Sequence, residues 1–280
     1  MKNFLVPFIF NNSQIRGRFI YFEDLVNNCF DNHEYPAVIK NILIKSLLFN
    51  AIMGSLVKVQ AIITLQIQKP EGLMSFLLSE LYNGSQLRAY SNFDEKLKSC
   101  SIDFKTLCDQ SILSITLDPI EPGFNRYQGV IELEHESLDL AFEKYFYSSE
   151  QIETKIKTVI SVEEIDGKFR YKAAALVIQK LPENINLTVE QDPWERVGIY
   201  FDTISEQELF KIADYKNYLP KIFSEDQIIA YTPQEFFYSC RCSVERIKEI
   251  AKQMSIEIDE KFEIKCEYCG KRYLKEDILI

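Results

Sequence analysis

Cys240-Arg241-Cys242 and, 23 residues further on, Cys266-Glu267-Tyr268-Cys269-Gly270 hold four of the seven cysteines of this 280-residue chain. Each tight pair offers two sulfurs to one point. Four thiolates at about 2.3 Å from a common centre are what a tetrahedral zinc site requires. A lone Cys-x-x-Cys would equally suit a redox pair, but Cys-x-Cys followed by Cys-x-x-Cys, with no histidine nearby, points to a closed metal site. Cys240, Cys242, Cys266 and Cys269 are therefore the expected ligands of one zinc ion. Gly270 stands where a ligand-bearing turn calls for positive φ, and Tyr273 is placed to cover one side. The spacing alone fits a metal that merely staples a small module, so the remainder of the chain must decide whether it does more.

Outward from the cysteines, Pro233 opens the module, which at about fifty residues is marginal for a core without a staple. Before it, Trp194, Val197, Phe201 and Ile204 fall on one helical face. Leu209, Ile212, Tyr215, Leu219 and Phe223 continue as short amphipathic helices, too short to stand without a surface to dock on. Asn184–Val189 shows no period. The reading is residues 1–182 as an α+β domain, 183–232 as a helical linker and 233–280 as the four-cysteine module.

Within the first 182 residues, Phe4–Phe10 and Arg18–Tyr21 read as strands around an Asn11-Asn12-Ser13 turn. Glu23–Phe30 reads as a short helix. Pro36 starts a helix over Ala37–Leu56 that is apolar on most faces and belongs in the core. Ala61–Gln68, Leu73–Leu81, Leu87–Ser91, Ile112–Leu117 and Tyr127–Glu134 read as strands. Ser137 caps a helix to Phe146. Ile156–Glu163 and Tyr171–Leu181 form a hairpin about Asp166-Gly167.

The formal net charge of −10 opposes nonspecific nucleic-acid binding, which depends on clustered Lys and Arg. Lys40, Asn41, Lys45 and Asn50 make Ala37–Val57 read as too polar for a membrane span, and the first residues lack the features of a signal peptide. The expectation is a soluble, cytoplasmic protein in which clustered thiols are metal ligands or redox sensors rather than standing disulfides.

The remaining chemistry is sparse. The two histidines, His33 and His135, anchor no triad. Glu132, Glu134 and Glu136 alternate along a strand and read as a solvated edge. Cys29, Cys100 and Cys108 follow no ligand spacing and are expected to be buried free thiols. No phosphate-cradling loop or dinucleotide fingerprint occurs. A site of four cysteines leaves no open position for water or substrate, which argues against a metalloenzyme. Arg241, Lys265, Lys271 and Arg272 can stabilise thiolates, with a solvated charged face an equal reading for any one of them.

Three blocks resemble the redox-regulated thirty-three-kilodalton heat-shock chaperone family of bacteria. The first is Tyr127-Gln128-Gly129-Val130-Ile131-Glu132-Leu133-Glu134 with Ala141–Phe146 and Ser149-Glu150-Gln151. The second is Trp194-Glu195-Arg196 through Glu208-Leu209 and Tyr218-Leu219-Pro220-Lys221-Ile222-Phe223. The third is Phe237-Tyr238-Ser239-Cys240-Arg241-Cys242-Ser243-Val244-Glu245-Arg246 with Cys266–Gly270. The chain departs from the family in a shorter spacer between the cysteine pairs, with the loss falling around Lys252–Ile258. It also has less glycine in Gln68-Lys69-Pro70-Glu71-Gly72.

The resemblance implies an ATP-independent holdase, inactive while reduced and zinc-bound. Oxidants such as hydrogen peroxide or hypochlorous acid, acting with unfolding stress, would activate it. Three disulfide pairings of four cysteines are possible, and the resemblance implies Cys240–Cys242 and Cys266–Cys269. The partners it implies are unfolded client proteins and a second copy of the chain in the oxidised state. The expected client-binding elements are the stripe Trp194, Val197, Phe201 and Ile204 and the surface it leaves. A constitutive zinc-knuckle module that binds protein or nucleic acid is the competing reading.

Overall fold

Alternation of apolar side chains sets the first strands. The computed structural model describes residues 2–11, 13–134, 136–182, 193–253 and 262–279. β1 (Asn3–Phe10) and β2 (Ile15–Phe22) pair antiparallel, and Phe4, Val6, Phe8 and Phe10 fall on one face of β1. A short helix, α1 (Asp24–Asn28), leads to α2 (Ala37–Leu56), whose first residue follows Pro36 at the N-cap. Proline suits a helix start because its missing N–H would have no intrahelical partner there.

By length and a mean hydropathy of 1.4, α2 meets the composition of a membrane-crossing helix, which corrects the expectation that it is too polar. Its burial inside the protein is what makes it a core helix: 67% of that span is covered. Two of its polar residues find partners across the layers. Asn50 donates to Ser79 Oγ at 2.8 Å, and Lys45 pairs with Asp139 at 3.0 Å.

β3 (Ala61–Gln68), β4 (Met74–Tyr82), β5 (Gln86–Phe93), β6 (Ser111–Pro119) and β7 (Tyr127–Leu133) build one sheet in the order β5-β4-β3-β6-β7. α3 (Phe104–Cys108) interrupts it between β5 and β6. α4 (Leu138–Ser149) starts at Ser137, whose side chain accepts from Leu140 N. β8 (Thr154–Ile165) and β9 (Lys168–Lys180) form a long hairpin about Asp166 and Gly167, at φ 50° and 72°. β9 pairs with β2, so the second sheet runs β1-β2-β9-β8.

The chain then adds α5 (Trp194–Thr203), α6 (Glu206–Lys211) and α7 (Tyr215–Ile222), with a short 3-10 turn over Ile212–Asp214. Three short strands follow. β10 (Ile228–Ala230) and β11 (Gln234–Glu235) pair with β1, and β12 (Phe237–Tyr238) pairs parallel with β5. α8 (Val244–Gln253), β13 (Glu263–Lys265), β14 (Arg272–Leu274) and α9 (Lys275–Leu279) complete the fold.

Period-two alternation arranges these elements in layers. On β9, Ala173, Ala175 and Val177 join the core around α2, whereas Ala174, Leu176 and Ile178 face the other way. There they meet Val197, Phe201, Ile204, Leu209, Leu219 and Phe223 of the helical segment. The order is helical segment, β1-β2-β9-β8 sheet, α2, then the β5-β4-β3-β6-β7 sheet. The architecture is mixed sheet and helix with a C-terminal cluster of four cysteines, as the sequence indicated. Asn184–Val189, His135 and most of Lys252–Ile258, all read in the sequence, lie outside the described residues.

Candidate metal centre

The last β12 residue lies two positions before Cys240, and Ser239 N donates to Leu87 O of β5 at 3.0 Å. The Cys-x-Cys turn is thereby fixed to the end of a sheet. α8 begins just after Cys242, where Ser243 Oγ accepts from Arg246 N. The second pair sits in the tight turn of the β13–β14 hairpin, closed by Cys266 N to Lys271 O and Gly270 N to Cys266 O, both 2.8 Å. Gly270 has φ 68°. A Cβ there would also stand 2.6 Å from Asn32 Cβ, so the turn needs glycine for its backbone and for its neighbour.

The four sulfurs lie within 4.8 Å of one another, with Cys240 to Cys266 at 3.6 Å and Cys242 to Cys269 at 3.5 Å. A tetrahedron with Zn–S bonds of about 2.3 Å has edges of about 3.8 Å, so the sulfur cage has the size such an ion needs. A disulfide would require about 2.05 Å, and all four thiols are free and half-buried.

Two further features suit thiolate ligands. The Cys266 thiol is pulled down, first by the hydrogen bond from Cys240 and then by the backbone N–H groups of Cys269 and Tyr268. The Cys240 proton is correspondingly held, chiefly by that same bond to Cys266, and burial pushes the Cys269 thiol up. Tyr273 is 1% exposed against Cys242, and its buried hydroxyl has no hydrogen-bond partner. A thiolate at Cys242 would accept from it. Four sulfurs in a closed cage, with donors aimed at them, fit a soft tetrahedral ion such as zinc and leave no face for a substrate.

The cations near the cluster act elsewhere than expected. Arg241 forms an ion pair with Glu80 of β4 and stacks 4.4 Å over Tyr82. Arg272 pairs with Glu263 at 3.0 Å, and Lys271 lies over the Tyr273 ring at 4.8 Å. Lys265 is exposed. The sulfurs instead draw on backbone N–H groups, which the turns bring closer than a long, hydrated side chain would come.

The sequence reading missed the seat on which this metal knuckle rests. Asn32 Nδ2 donates to Cys269 O at 2.7 Å, and Tyr238 OH donates to Tyr268 O at 3.1 Å. His33 Nε2 lies 3.2 Å from the same Tyr268 oxygen, and burial lowers its pKa. Arg88 stacks 3.9 Å over the Tyr268 ring and pairs with Glu80 at 3.0 Å. A usable signal existed for Glu80 and Arg88. Asn83-Gly84, both at positive φ (49° and 70°), marks a tight hairpin whose register sets these opposite charges across from each other.

Of the expected client-binding stripe, Val197, Phe201 and Ile204 are buried against the β1-β2-β9-β8 sheet, and Trp194 is half-buried beside them. Lys157 of β8, which the sequence reading also missed, caps this helix. Its Nζ donates to the carbonyls of Phe201, Asp202 and Ile204 at 3.0, 3.0 and 2.8 Å. Arg196 adds a two-pronged pair with Asp226 at 2.8 and 2.9 Å. Cys29 and Cys108 are buried as expected, but Cys100 is exposed. It lies in the polar stretch between β5 and α3, where no layer covers it.

Comparison with known proteins follows the same outline. The family model described as Hsp33 protein matches residues 3–275. Proteins called 33 kDa chaperonin in Escherichia coli O7:K1 and Shigella flexneri serotype 5b are each 28% identical over 274 residues. These matches take in 95% of this chain and 90% and 91% of theirs. The crystal structure of a 33 kDa chaperonin from Thermotoga maritima superimposes with a TM-score of 0.76 over 99% of this chain and 96% of that one. At 18% identity this last match is a likeness of fold.

Proposed function

The chain belongs to the Hsp33 protein family, and from that premise we propose that it is an ATP-independent holdase chaperone switched by oxidation of Cys240, Cys242, Cys266 and Cys269. It works in the cytoplasm on unfolded proteins and is not an enzyme. Residues 1–182 form the client-binding and dimerisation domain, 183–232 the metastable linker and 233–280 the redox switch.

The observation that carries this reading is how little holds the cysteine module together apart from its sulfurs. Among the described residues its buried apolar core is Ile247, Ala251, Phe262, Tyr273 and Ile278. When bound, zinc cross-links the two turns through four thiolates and supplies roughly 10–16 kcal/mol of apparent binding free energy. Typical domains are held by about 5–15 kcal/mol in total, so a module with so small a core among its described residues depends on that cross-link.

Oxidation removes it. Each pair of thiolates, Cys240 with Cys242 and Cys266 with Cys269, gives up two electrons and forms one S–S bond, losing its hold on the metal. One hydrogen peroxide takes the two electrons with two protons from solvent and leaves as two waters. The sulfur cage does not select a pairing, since every sulfur is within 4.8 Å of the others; this one is what the resemblance to the family implies. These disulfides close very short loops, which constrain an unfolded chain little. They also leave the two turns unconnected to each other.

The contacts of Arg241, Tyr268, Cys269 and Gly270 with the body of the protein depend on the shape of those turns, so they go with it. The helical segment then loses a neighbour, since β10, β11 and β12 lead directly from it to Cys240. Its release uncovers Phe4, Val6, Phe8, Phe10, Leu176 and Ile178, which its helices cover in the folded state. A contiguous apolar strip of this kind, together with the freed faces of Val197, Phe201 and Ile204, binds unfolded chains. Two oxidised copies pair as a homodimer.

The test is suppression of aggregation of a heat-unfolded client by reduced and by peroxide-treated protein, with released zinc measured in parallel. Suppression that appears only after treatment, in step with about one zinc per chain released, is the expected result. Equal suppression in both states would favour a constitutive binding module. A treated sample that keeps its metal and its protease resistance would refute the switch.

A further inference from the structure

The metal knuckle sits on one end of the β5-β4-β3-β6-β7 sheet, on the face opposite α2. Glu80, 9% exposed, is the hub of that contact. It stands across from Arg88 in the β4–β5 register and accepts from both Arg88 and Arg241. The two residues that reach the sheet around Glu80, Arg241 and Tyr268, each lie between the ligands of a cysteine pair. Arg241 lies over Tyr82, while Tyr268 stacks on Arg88 and meets Tyr90 edge-on with ring centroids 5.6 Å apart. A guanidinium beside an aromatic ring is thus held by a carboxylate between two rings.

This seat is built to be left. The Nε atoms of Arg88 and Arg241 are buried without hydrogen-bond partners, so each arginine is only partly satisfied in the docked state. The face it covers does not end at the knuckle. Register carries it from Tyr90 through Leu78, Gln66 and Ser114 to Val130, which is 62% exposed. Uncovering the seat therefore extends a strip that is already open.

We propose that this face around Glu80 is a second docking surface for unfolded chains, selective for segments that present an arginine or lysine beside an aromatic side chain. The metal knuckle occupies it in cis through Arg241 and Tyr268 until the module opens. The proposal rests on the switch described above. It adds a site on the opposite sheet from the one the helical segment covers, with a chemistry that sheet's apolar strip lacks. Charge complementarity sets the preference: Glu80 already binds a second guanidinium in the folded chain, and Tyr82 and Tyr90 supply the ring faces that cations and aromatics favour.

The experiment uses the full chain, reduced with zinc and peroxide-oxidised. Two labelled short peptides of alternating sequence serve as probes, one of arginine and tyrosine, the other of glutamate and tyrosine. Fluorescence anisotropy gives their affinities, and client aggregation is followed on the same samples. Oxidised protein should bind the arginine peptide about tenfold more tightly than the glutamate peptide. Reduced protein, of similar net charge, should show no such preference, which separates site binding from general attraction to an acidic protein. Glu80→Gln should abolish the preference for the arginine peptide. Tyr90→Ser, which removes no buried charge, should weaken the arginine peptide as well and covers the case in which Glu80→Gln does not fold. Charge-blind binding by oxidised protein, or a preference unchanged in both variants, overturns the proposal. Absence of suppression in oxidised wild type would instead sink the switch itself.

Discussion

Lys157→Met removes a cation that ties the helical segment to the β8–β9 hairpin, beside the Lys155–Asp202 pair at 2.6 Å, while keeping most of the side-chain volume. The ammonium donates to the three carbonyls at the C-terminal end of α5 and lies 5.5 Å from the Phe201 ring. A partly buried cation at a helix C-terminus contributes up to about 2 kcal/mol. Its three charged hydrogen bonds would suggest more, but burial lowers the Lys157 pKa, so desolvation offsets part of the gain. We therefore expect about 2 kcal/mol, a factor of roughly 30 in the opening equilibrium of the segment. Native-state hydrogen exchange on the reduced, zinc-loaded protein reads this directly. Amides of α5 to α7 should exchange roughly 30-fold faster, with β1 to β9 and zinc content unchanged. Reduced Lys157→Met should also suppress client aggregation measurably without oxidant. Unchanged exchange in α5, or equal acceleration throughout the sheets, would refute the view that the segment is a separately releasable cover.

Chelation of the metal under reducing conditions should abolish exchange protection in α8, β13 and β14 and leave β3 to β6 protected, because among the described residues the former share only the small core of Ile247, Ala251, Phe262, Tyr273 and Ile278. Gly270→Ala puts a Cβ at φ 68° and 2.6 Å from Asn32, so zinc should leave the variant faster in a chelator-competition assay while the N-terminal sheets keep their exchange protection. A maleimide should label Cys100 rapidly in the reduced, zinc-loaded protein and spare Cys29 and Cys108. Burial pushes the Cys108 thiol up to about 12 and raises Cys29 further, and mass spectrometry of the labelled peptides distinguishes the three.

Strands were legible wherever one face is buried and the other is not. β3 alternates buried and half-buried residues along Ala61–Ile67 and was readable to its ends. Asp166-Gly167 announced the β8–β9 hairpin, and the cysteine spacing announced the sulfur cage. What alternation cannot show is which layer a face meets. β9 is buried on both sides, so its run from Ala173 to Ile178 carries no record that odd positions face α2 and even ones the helices. β10 to β12 are two or three residues long and gain their identity only from the strands they join. The seat under the knuckle joins Glu80 to Arg241 and Asn32 to Cys269, more than 150 residues apart in sequence. No local period reports on a contact of that kind.

The short strands also offer the proposed switch a route from the four cysteines at the tail to helices packed far from them in the layers. β10 and β11 extend the sheet that the helices cover, and β12 extends the one on which the knuckle sits. Residues 228–238 thus run from one sheet edge to the other and end two positions before the first ligand. The edges they occupy are short, with two or three residues paired at each. Short edge pairings are individually weak, and their register is kept by what anchors the two ends of the run. At one end that anchor is the packed helix α7 and Phe223; at the other it is the sulfur cage. Loosening the cage leaves β12 held by its two paired residues and by the neighbouring Phe236 in the core around α2, while Tyr238 loses the carbonyl of the departing turn to which its hydroxyl donates. In the proposed switch, redox chemistry at the sulfurs would act on the whole run, and through it on the helical cover, without any signal having to cross the core around α2.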